Sequence, residues 1–352
     1  MAQQFTIGMR LIGPAQPTYV IAEVSANHHQ KFEEAVRIIH AAKEAGVDAV
    51  KLQTYTPDTI TIACNRKEFL IGTGTLWQGR NLHELYAEAY TPWEWQPRLR
   101  EVALELGIEL FSSPFDETAV DFLESMSVPA YKLASFELVD LPLIQKMAST
   151  GKPLIMSTGM ATIEEIEEAV QTARQSGASQ IALLKCTSAY PASAEEMNLR
   201  TIPELAQHFS APVGLSDHTM GIAVPVAAVS LGACIIEKHL TLSRSNPGPD
   251  SAFSLEPDEF KAMVEAIRVA EKALGEVHFG VSAKEWSSRA FRRSLFVVHD
   301  VKRGELFTVE NVRSIRPGYG LHTRHLSEIL GCRAACDIER GTPLSWDHVE
   351  KQ

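Results

Sequence analysis

Two histidines that follow predicted strands are the best candidates for a metal site. His218 lies in residues 214–219 (Gly-Leu-Ser-Asp-His-Thr), His239 lies in residues 237–240 (Glu-Lys-His-Leu), and an apolar run precedes each motif. Imidazole is a preferred ligand of divalent transition metals, and barrel enzymes place their chemistry at the carboxyl ends of strands. Two isolated histidines on loops are more often ordinary polar residues. Asp250, in an Asn-Pro-Gly-Pro-Asp segment, and the polar ends of other strands favour the metal site.

Other predicted strands end in residues that bind anions. Lys51 ends the second strand and Lys132 ends the fourth, while hydroxyl groups at the same ends include Ser113, Ser157 and Ser216. Ammonium groups neutralise phosphate or carboxylate, and serine hydroxyls donate hydrogen bonds to them. These residues together predict a phosphate-binding site at the carboxyl ends of the strands. Glu23 ends the first strand, and the sequence leaves open whether it is a general base or a salt-bridge partner of a lysine.

The elements that would position these residues alternate between short apolar runs and amphipathic helical segments. The predicted strands are residues 19–24, 49–53, 108–112, 130–133, 153–156, 181–185, 212–215 and 234–237. Helical patterns such as 32–45, 163–175 and 257–274 lie between or after them, and several are followed by glycine. Eight such units predict an α/β fold, a (βα)₈ TIM barrel. A doubly wound sheet is the alternative, but its glycine-rich dinucleotide turn is absent.

One long insertion, residues 55–94, separates the second and third predicted strands. A loop of this length inside a compact domain is uncommon unless it is functional. We expect the insertion to cover the substrate mouth and to contribute Trp77. Trp93 and Trp95 fit equally well in a helical segment that packs on the outside of the barrel.

The C-terminal part of the chain contains an internal duplication. Residues 300–312 recur as residues 337–349, and in each copy an Arg-Gly turn leads to a threonine or serine with N-cap character. The pattern predicts short strands around a pseudo-twofold axis. The expected domains are a barrel in residues 1–280, a linker in 281–290 and a small C-terminal domain in 291–352.

Composition limits the kinds of function to consider. The chain has 352 residues, of which 45% are hydrophobic, enough for a large core. The formal net charge of −11 and the lack of a basic run argue against a nucleic-acid surface. Its five cysteines form no CxxC pair, which predicts reduced thiols rather than a disulfide framework. No signal-like region or long apolar stretch is present, so we expect a cytoplasmic enzyme that does not insert into membranes.

Several ordered motifs carry a family resemblance. They are residues 23–28 (Glu-Val-Ser-Ala-Asn-His), 51–54 (Lys-Leu-Gln-Thr), 131–132, 157–160 (Ser-Thr-Gly-Met), 214–219, His239 and 247–250. In these motifs the chain resembles the sialic acid synthase family, the phosphoenolpyruvate-dependent nonulosonate synthases. Its tail, with residues 316–320 (Arg-Pro-Gly-Tyr-Gly), resembles that family's C-terminal antifreeze-like (SAF) domain.

Within this family, residues 74–77 and 89–95 are similar to those of the pseudaminic acid synthases. Those enzymes condense phosphoenolpyruvate with 2,4-diacetamido-2,4,6-trideoxy-β-L-altrose to give pseudaminic acid and phosphate. Ser188 and Phe136 stand where N-acetylneuraminate synthases have asparagine and glycine. An N-acetylneuraminate or legionaminate synthase stays an alternative, and so does a non-catalytic carbohydrate-binding protein, because a fold does not fix a function.

The resemblance implies a role for each candidate residue. His218 and His239 would hold Mn²⁺, Mg²⁺ or Co²⁺, and Glu23 would handle the attacking water or its proton. The implied phosphoenolpyruvate-binding residues are Lys51, Ser113, Lys132, Ser135, Ser157, Ser188 and Ser216. The implied contacts to the amino sugar or to metal-bound water are Gln53, Glu137, Tyr190 and Asp250. The resemblance further implies a domain-swapped homodimer in which Arg316 reaches an N-acyl group of the sugar in the partner's site.

Overall fold

A short hairpin precedes the barrel in the computed structural model, which describes residues 5–350. Its strands, β1 (Phe5–Ile7) and β2 (Arg10–Ile12), pair in antiparallel fashion. Phe5, Ile7 and Ile12 are buried in the same apolar core as the barrel strands. The sequence analysis did not predict this hairpin, because two strands of three residues carry too little periodicity to be recognised.

A closed barrel of eight parallel strands forms the centre of the first compact unit, Met1–Gly275. The strands are β3 (Tyr19–Glu23), β4 (Ala49–Thr54), β5 (Glu109–Pro114), β6 (Tyr131–Leu133), β7 (Leu154–Ser157), β8 (Ile181–Cys186), β9 (Val213–Asp217) and β10 (Ile235–His239). They follow one another around the barrel, which closes between β10 and β3. The predicted TIM barrel is therefore confirmed, and each strand end lies within two residues of its prediction.

Helices surround the barrel and also lie within the loops that connect its strands. In the first unit they are α1 (Phe32–Glu44), α2 (Pro57–Ile60), α3 (Leu82–Ala89), α4 (Gln96–Glu105), α5 (Glu117–Ser125), α6 (Leu141–Ser149), α7 (Ile163–Gln175), α8 (Thr201–Phe209), α9 (Ala223–Ser230) and α10 (Pro257–Leu274). Local chemistry sets their ends: Thr162 caps α7 through a hydrogen bond from the Glu165 amide, and Gly177 follows that helix with a φ of 110°. None of the helices within residues 5–350 has the length and apolar character that a membrane span requires.

Strand residues alternate between the barrel interior and the helical layer, and this alternation determines which side chains reach the mouth. On β6 the Tyr131 hydroxyl donates a hydrogen bond outward to Glu124 of α5 at 2.5 Å, while the neighbouring Lys132 lies inside the barrel near Glu237. Parallel register then aligns inward residues of adjacent strands, as Glu23 aligns with Lys51.

The second compact unit, Glu276–Gln352, contains an antiparallel pair, β11 (Ser294–Val297) and β12 (Val312–Ile315), and the short helix α11 (Leu326–Ile329). The duplicated segments face each other across reciprocal hydrogen bonds. The Arg340 amide donates to Asp300 Oδ1 and the Arg303 amide donates to Asp337 Oδ1, both at 2.8 Å. This reciprocity is the pseudo-twofold arrangement that the sequence predicted.

Candidate active site

Four charged side chains meet inside the barrel near the carboxyl ends of its strands. Lys51 Nζ contacts Glu23 and lies 3.6 Å from Glu237 Oε1, and Lys132 Nζ lies 4.0 Å from that same oxygen. No side chain in this group is more than 6% exposed. The two ammonium charges balance the two carboxylate charges. A bound anion adds negative charge to this group, so its binding is electrostatically linked to protonation of a carboxylate.

The two glutamates have different electrostatic environments. Burial raises the pKa of Glu23 to about 7, although Lys51 acts in the opposite direction. Burial acts on Glu237 too, but Lys132 and Lys51 outweigh it and hold the pKa of Glu237 below its usual range. Glu23 Oε1 has no hydrogen-bond partner within the described residues. Glu23 is therefore suited to exchanging a proton near neutral pH, whereas Glu237 is suited to staying ionised.

Serine hydroxyls border the lysines, as predicted. Ser113 Oγ accepts a hydrogen bond from Lys51 at 3.2 Å, and Ser216 Oγ donates to Glu237 at 3.4 Å. Ser157 Oγ is buried and finds no hydrogen-bond partner in residues 5–350. A buried hydroxyl without a partner is uncommon, and in this position it indicates a polar ligand.

Ser135 and Ser188 lie together beside Gly159. The Gly159 amide donates a hydrogen bond to Ser135 Oγ at 3.2 Å. A Cβ atom added to Gly159 would lie 2.3 Å from Ser188 Oγ, so a larger residue would displace these hydroxyls. The glycine thus allows two serines and a backbone amide to approach one point, which suits binding of an anionic group.

His218 and His239 are neighbours at the mouth, with ring centroids 5.4 Å apart. The Thr187 carbonyl lies 3.0 Å from His218 Nδ1, which places the proton on that nitrogen and leaves Nε2 as the ligand atom. Burial lowers the pKa of His239 well below its usual value, so its imidazole is neutral. His239 Nδ1 is buried and lacks a hydrogen-bond partner among the described residues.

Burial opposes a charge on His218, but Cys186 and the Thr187 carbonyl outweigh it and raise the pKa of His218 above its usual value. The histidine pair fits a divalent ion that would displace a proton from His218 on binding, since neutral imidazole is the form that binds metals. Within residues 5–350 no group of three or more histidine, cysteine, aspartate or glutamate side chains is arranged to hold a metal. An ion bound by this pair would take its remaining ligands from water or substrate, as catalytic sites with open positions do.

A cavity of about 520 Å³ is lined in part by His239. The residues predicted to contact the sugar, Gln53, Glu137, Tyr190 and Asp250, all line it. Asp250 is held by Ser25, which also accepts a hydrogen bond from Gln53 at 3.1 Å. Burial raises the pKa of Glu137 to about 7, and its Oε2 has no partner in the described part of the chain.

Part of the cavity wall is apolar and comes largely from the insertion. It includes Ile60, Ile71, Trp77, Leu82, Leu85 and Ala89, with Phe115, Phe136 and Phe253 from elsewhere in the barrel unit. Trp77 is fixed by a hydrogen bond from its indole to the Pro249 carbonyl at 3.0 Å. Trp77 of the insertion therefore lines the cavity, and the covering of a bound substrate by the insertion stays a prediction.

Trp93 and Trp95 do not line this cavity, so their other predicted role is the one observed. Trp93 stacks on Phe122 with ring centroids 4.8 Å apart, and Trp95 packs edge-on against Phe32. Both tryptophans therefore attach the end of the insertion to the helical layer of the barrel.

The sequence analysis missed Glu237 and Cys186 as site residues. Glu237 lies two residues before His239 on β10, and Cys186 Sγ lies 3.9 Å from His218 Nδ1. The two-residue period of a strand could have identified Glu237, because residues i and i+2 share one face.

Arg316 belongs to the second unit, where it follows β12 and is exposed. Its role in sugar binding stays a prediction.

Comparison with known proteins assigns the chain to a protein family. The model of the NeuB family matches residues 38–279, and that of the SAF domain matches residues 292–350. The chain belongs to the NeuB family. This membership confirms the resemblance to sialic acid synthases and the predicted C-terminal domain type.

Several relatives of the chain are named synthases. The chain is 47% identical to a pseudaminic acid synthase of Helicobacter pylori over 96% of this chain and 99% of the relative. It is 38% identical to an N,N'-diacetyllegionaminic acid synthase of Legionella pneumophila, covering 97% and 98%. The alternative of a non-catalytic carbohydrate-binding protein finds no support in these relatives, and the chain is an enzyme of the NeuB synthase family.

A solved structure shares the fold. The N-acetylneuraminic acid synthetase of Leptospira borgpetersenii, in complex with citrate, superposes with a TM-score of 0.73 at 31% identity. The match covers 82% of this chain and 95% of the other.

Proposed function

We propose that this enzyme is a pseudaminic acid synthase, which joins phosphoenolpyruvate to 2,4-diacetamido-2,4,6-trideoxy-β-L-altrose and releases phosphate. The observation that carries the proposal is that an anion site with two buried lysines and an apolar-walled cavity meet at one barrel mouth. The identity to relatives named pseudaminic acid synthases supports the same reaction.

Phosphoenolpyruvate would bind among the lysines and serines. Lys51 and Lys132 would neutralise its phosphate and carboxylate, and the hydroxyls of Ser113, Ser157 and Ser216 would donate hydrogen bonds. The serines beside Gly159 add a further anion contact. Citrate bound to the Leptospira synthetase is consistent with a polyanion-binding site in this family.

The reaction forms a bond between C3 of phosphoenolpyruvate and the sugar aldehyde carbon. Water then adds at C2, and phosphate leaves with the bridging oxygen. Glu23, whose Oε1 lacks a partner among the described residues and whose pKa is about 7, would take the proton from that water. Glu237 stays ionised and would stabilise the positive charge that develops at C2.

A divalent ion completes the proposed site. His218 and His239 would hold Mn²⁺, Mg²⁺ or Co²⁺, and the bound ion would supply Lewis-acid polarisation of the sugar aldehyde. Gln53, Glu137, Tyr190 and Asp250 would orient the open-chain sugar through its hydroxyl and amide groups.

The cavity wall favours a deoxy diacetamido sugar over N-acetylmannosamine. Methyl groups at C6 and on the two acetamido groups can contact the apolar side chains from the insertion. A hydroxyl placed against this wall would lose hydrogen bonds to water without replacing them. The runner-up activities are those of N-acetylneuraminate and legionaminate synthases.

We also propose a domain-swapped homodimer in which Arg316 contacts the sugar in the partner's site. Arg316 is exposed, as are the nearby Tyr319 and, in the barrel unit, Phe136 and Met160 near the mouth. The proposal follows from the resemblance of residues 316–320 to the SAF domain of the family, whose model matches residues 292–350.

The direct test is phosphate release from phosphoenolpyruvate with each of three aldehyde-bearing sugars. These are the diacetamido altrose, the legionaminate precursor and N-acetylmannosamine. We expect kcat/KM for the diacetamido altrose to exceed that for N-acetylmannosamine by roughly 10- to 200-fold, the range that apolar pocket contacts supply. Equal values for the two sugars would reject the substrate assignment, and no phosphate release with any sugar would reject the proposed reaction.

A further inference from the structure

We infer that Asp217 and Lys238 form a brace that positions His218 and His239. The brace is the Asp217–Lys238 ion pair together with its hydrogen bonds to Thr219. The inference rests on the proposed metal site. Neither brace residue enters the cavity, so both would act through the two histidines.

The brace joins the two strands that carry the histidines. Asp217 and Lys238 are register partners on β9 and β10, and Lys238 Nζ lies 2.5 Å from Asp217 Oδ2. Both side chains are 0% exposed. Because side chains alternate along a strand, the residue that follows each brace residue projects to the opposite side, toward the barrel interior. These residues are His218, directly after β9, and His239, the last residue of β10.

The brace also fixes the backbone after His218. Lys238 Nζ donates a second hydrogen bond to the Thr219 carbonyl at 2.5 Å, and Asp217 Oδ1 accepts one from the Thr219 amide at 3.0 Å. The residues on both sides of His218 are therefore tied to the strand that ends in His239. This network sets the separation and orientation of the two imidazole rings.

Stability alone gives little reason for a charged pair at this position. Removing two charges from water is costly, and apolar residues of similar volume often replace a buried ion pair with no loss of stability. Placement of ligand atoms is a stronger reason, because groups that orient metal ligands commonly change metal affinity by about 10- to 100-fold.

The test uses the metal-free full-length enzyme with Asp217→Asn and Lys238→Met combined. These changes keep side-chain volume but remove both charges. Binding of Mn²⁺ is measured without substrate from the electron paramagnetic resonance signal of the free ion. Binding of phosphoenolpyruvate is measured separately by tryptophan fluorescence. Asp121→Asn combined with Lys146→Met is the matched control, since the same changes then fall on an exposed ion pair between α5 and α6.

We expect the brace variant to bind Mn²⁺ about 10- to 100-fold more weakly than the wild type, with unchanged affinity for phosphoenolpyruvate. The control should match the wild type for both ligands. If the double variant does not fold, Lys238→Arg keeps the charge with a different geometry, and it should also weaken Mn²⁺ binding alone.

Wild-type Mn²⁺ affinity in a folded double variant or in Lys238→Arg would overturn the inference. A parallel loss of both affinities would overturn it too, because it would show general damage to the barrel. If the wild-type enzyme binds phosphoenolpyruvate but no Mn²⁺, the brace and the metal site fail while the proposed substrate stands. If the wild-type enzyme binds Mn²⁺ but no phosphoenolpyruvate, the proposed reaction is rejected. The Mn²⁺ affinities of the variants alone then test the brace.

Discussion

Glu237 is the residue around which the charges of the site are arranged. Its Oε1 lies within 4.0 Å of both buried lysines and accepts the Ser216 hydroxyl. The sequence pointed to the lysines because two of them lie at predicted strand ends together with serine hydroxyls. Glu237 also ends an apolar run, but it begins the charged segment Glu-Lys-His, and only the alternation of strand faces distinguishes it from Lys238.

Glu137 gives a test of the electrostatics through protein stability. Its folded-state pKa is raised to about 7, so between pH 4.5 and 7 the unfolded chain loses this proton more readily than the folded chain. The free energy of unfolding therefore falls as pH rises through that window. We expect Glu137→Gln to stabilise the protein by about 1–3 kcal/mol at pH 8 and by much less at pH 5.

Urea unfolding at the two pH values measures this difference. Glu101→Gln, on the exposed face of α4, is the control and should show no such pH dependence. An equal effect of Glu137→Gln at both pH values would mean that the folded-state pKa is not raised.

The histidine pair predicts that the activity of the enzyme depends on a divalent ion. Chelation should abolish turnover, and added Mn²⁺ should restore it. His218→Ala should lose nearly all activity yet unfold at the wild-type temperature, while His40→Ala, on an exposed face of α1, should stay fully active. Full turnover after exhaustive chelation would show that the reaction does not need a metal ion.

At the scale of elements, the strands and the anion-binding residues were largely predictable. Each barrel strand is a buried apolar run followed by polar residues, so both its position and its functional end are visible in the sequence. The insertion was only partly predictable. Its length and Trp77 indicated a contribution to the mouth, but the sequence could not show that Trp93 stacks on Phe122 instead of lining the cavity. Those contacts depend on tertiary packing between distant segments.

Leu82, at the start of α3, tests the apolar wall that the insertion supplies. Leu82→Ser should lower kcat/KM for the diacetamido altrose by roughly 10-fold, because a methyl contact is worth about 1–3 kcal/mol. The KM for phosphoenolpyruvate should not change. Leu104→Ser, at an exposed position of α4, is the control. Loss of phosphoenolpyruvate binding in Leu82→Ser would show that the wall acts on the whole site instead of on the sugar.

At the scale of the whole molecule, the proposed dimer predicts complementation between inactive chains. His218→Ala damages the barrel of one chain, and Arg316→Ala removes the arginine from the other. In a swapped dimer one of the two mixed sites keeps both residues. Random pairing should therefore restore about a quarter of wild-type activity, which is measured after co-expression.

Co-expression of His218→Ala with His239→Ala is the control, because both changes lie in the barrel and no mixed site is intact. If Arg316→Ala is inactive and confirmed mixed dimers recover nothing, the arginine acts within its own chain. The internal duplication of the tail was visible in the sequence, whereas the proposed assembly with a second chain follows from the family resemblance alone.

In the proposed reaction one site joins the carbons of phosphoenolpyruvate to a diacetamido altrose with cleavage of the C–O bond. A mass spectrum of both products tests this, with phosphoenolpyruvate labelled with ¹³C in its carbons and ¹⁸O in its bridging oxygen. We expect a sugar acid that carries the ¹³C label without ¹⁸O, and phosphate that carries the ¹⁸O. A sugar acid that retains ¹⁸O, or one that lacks the ¹³C carbons, would contradict the proposed reaction.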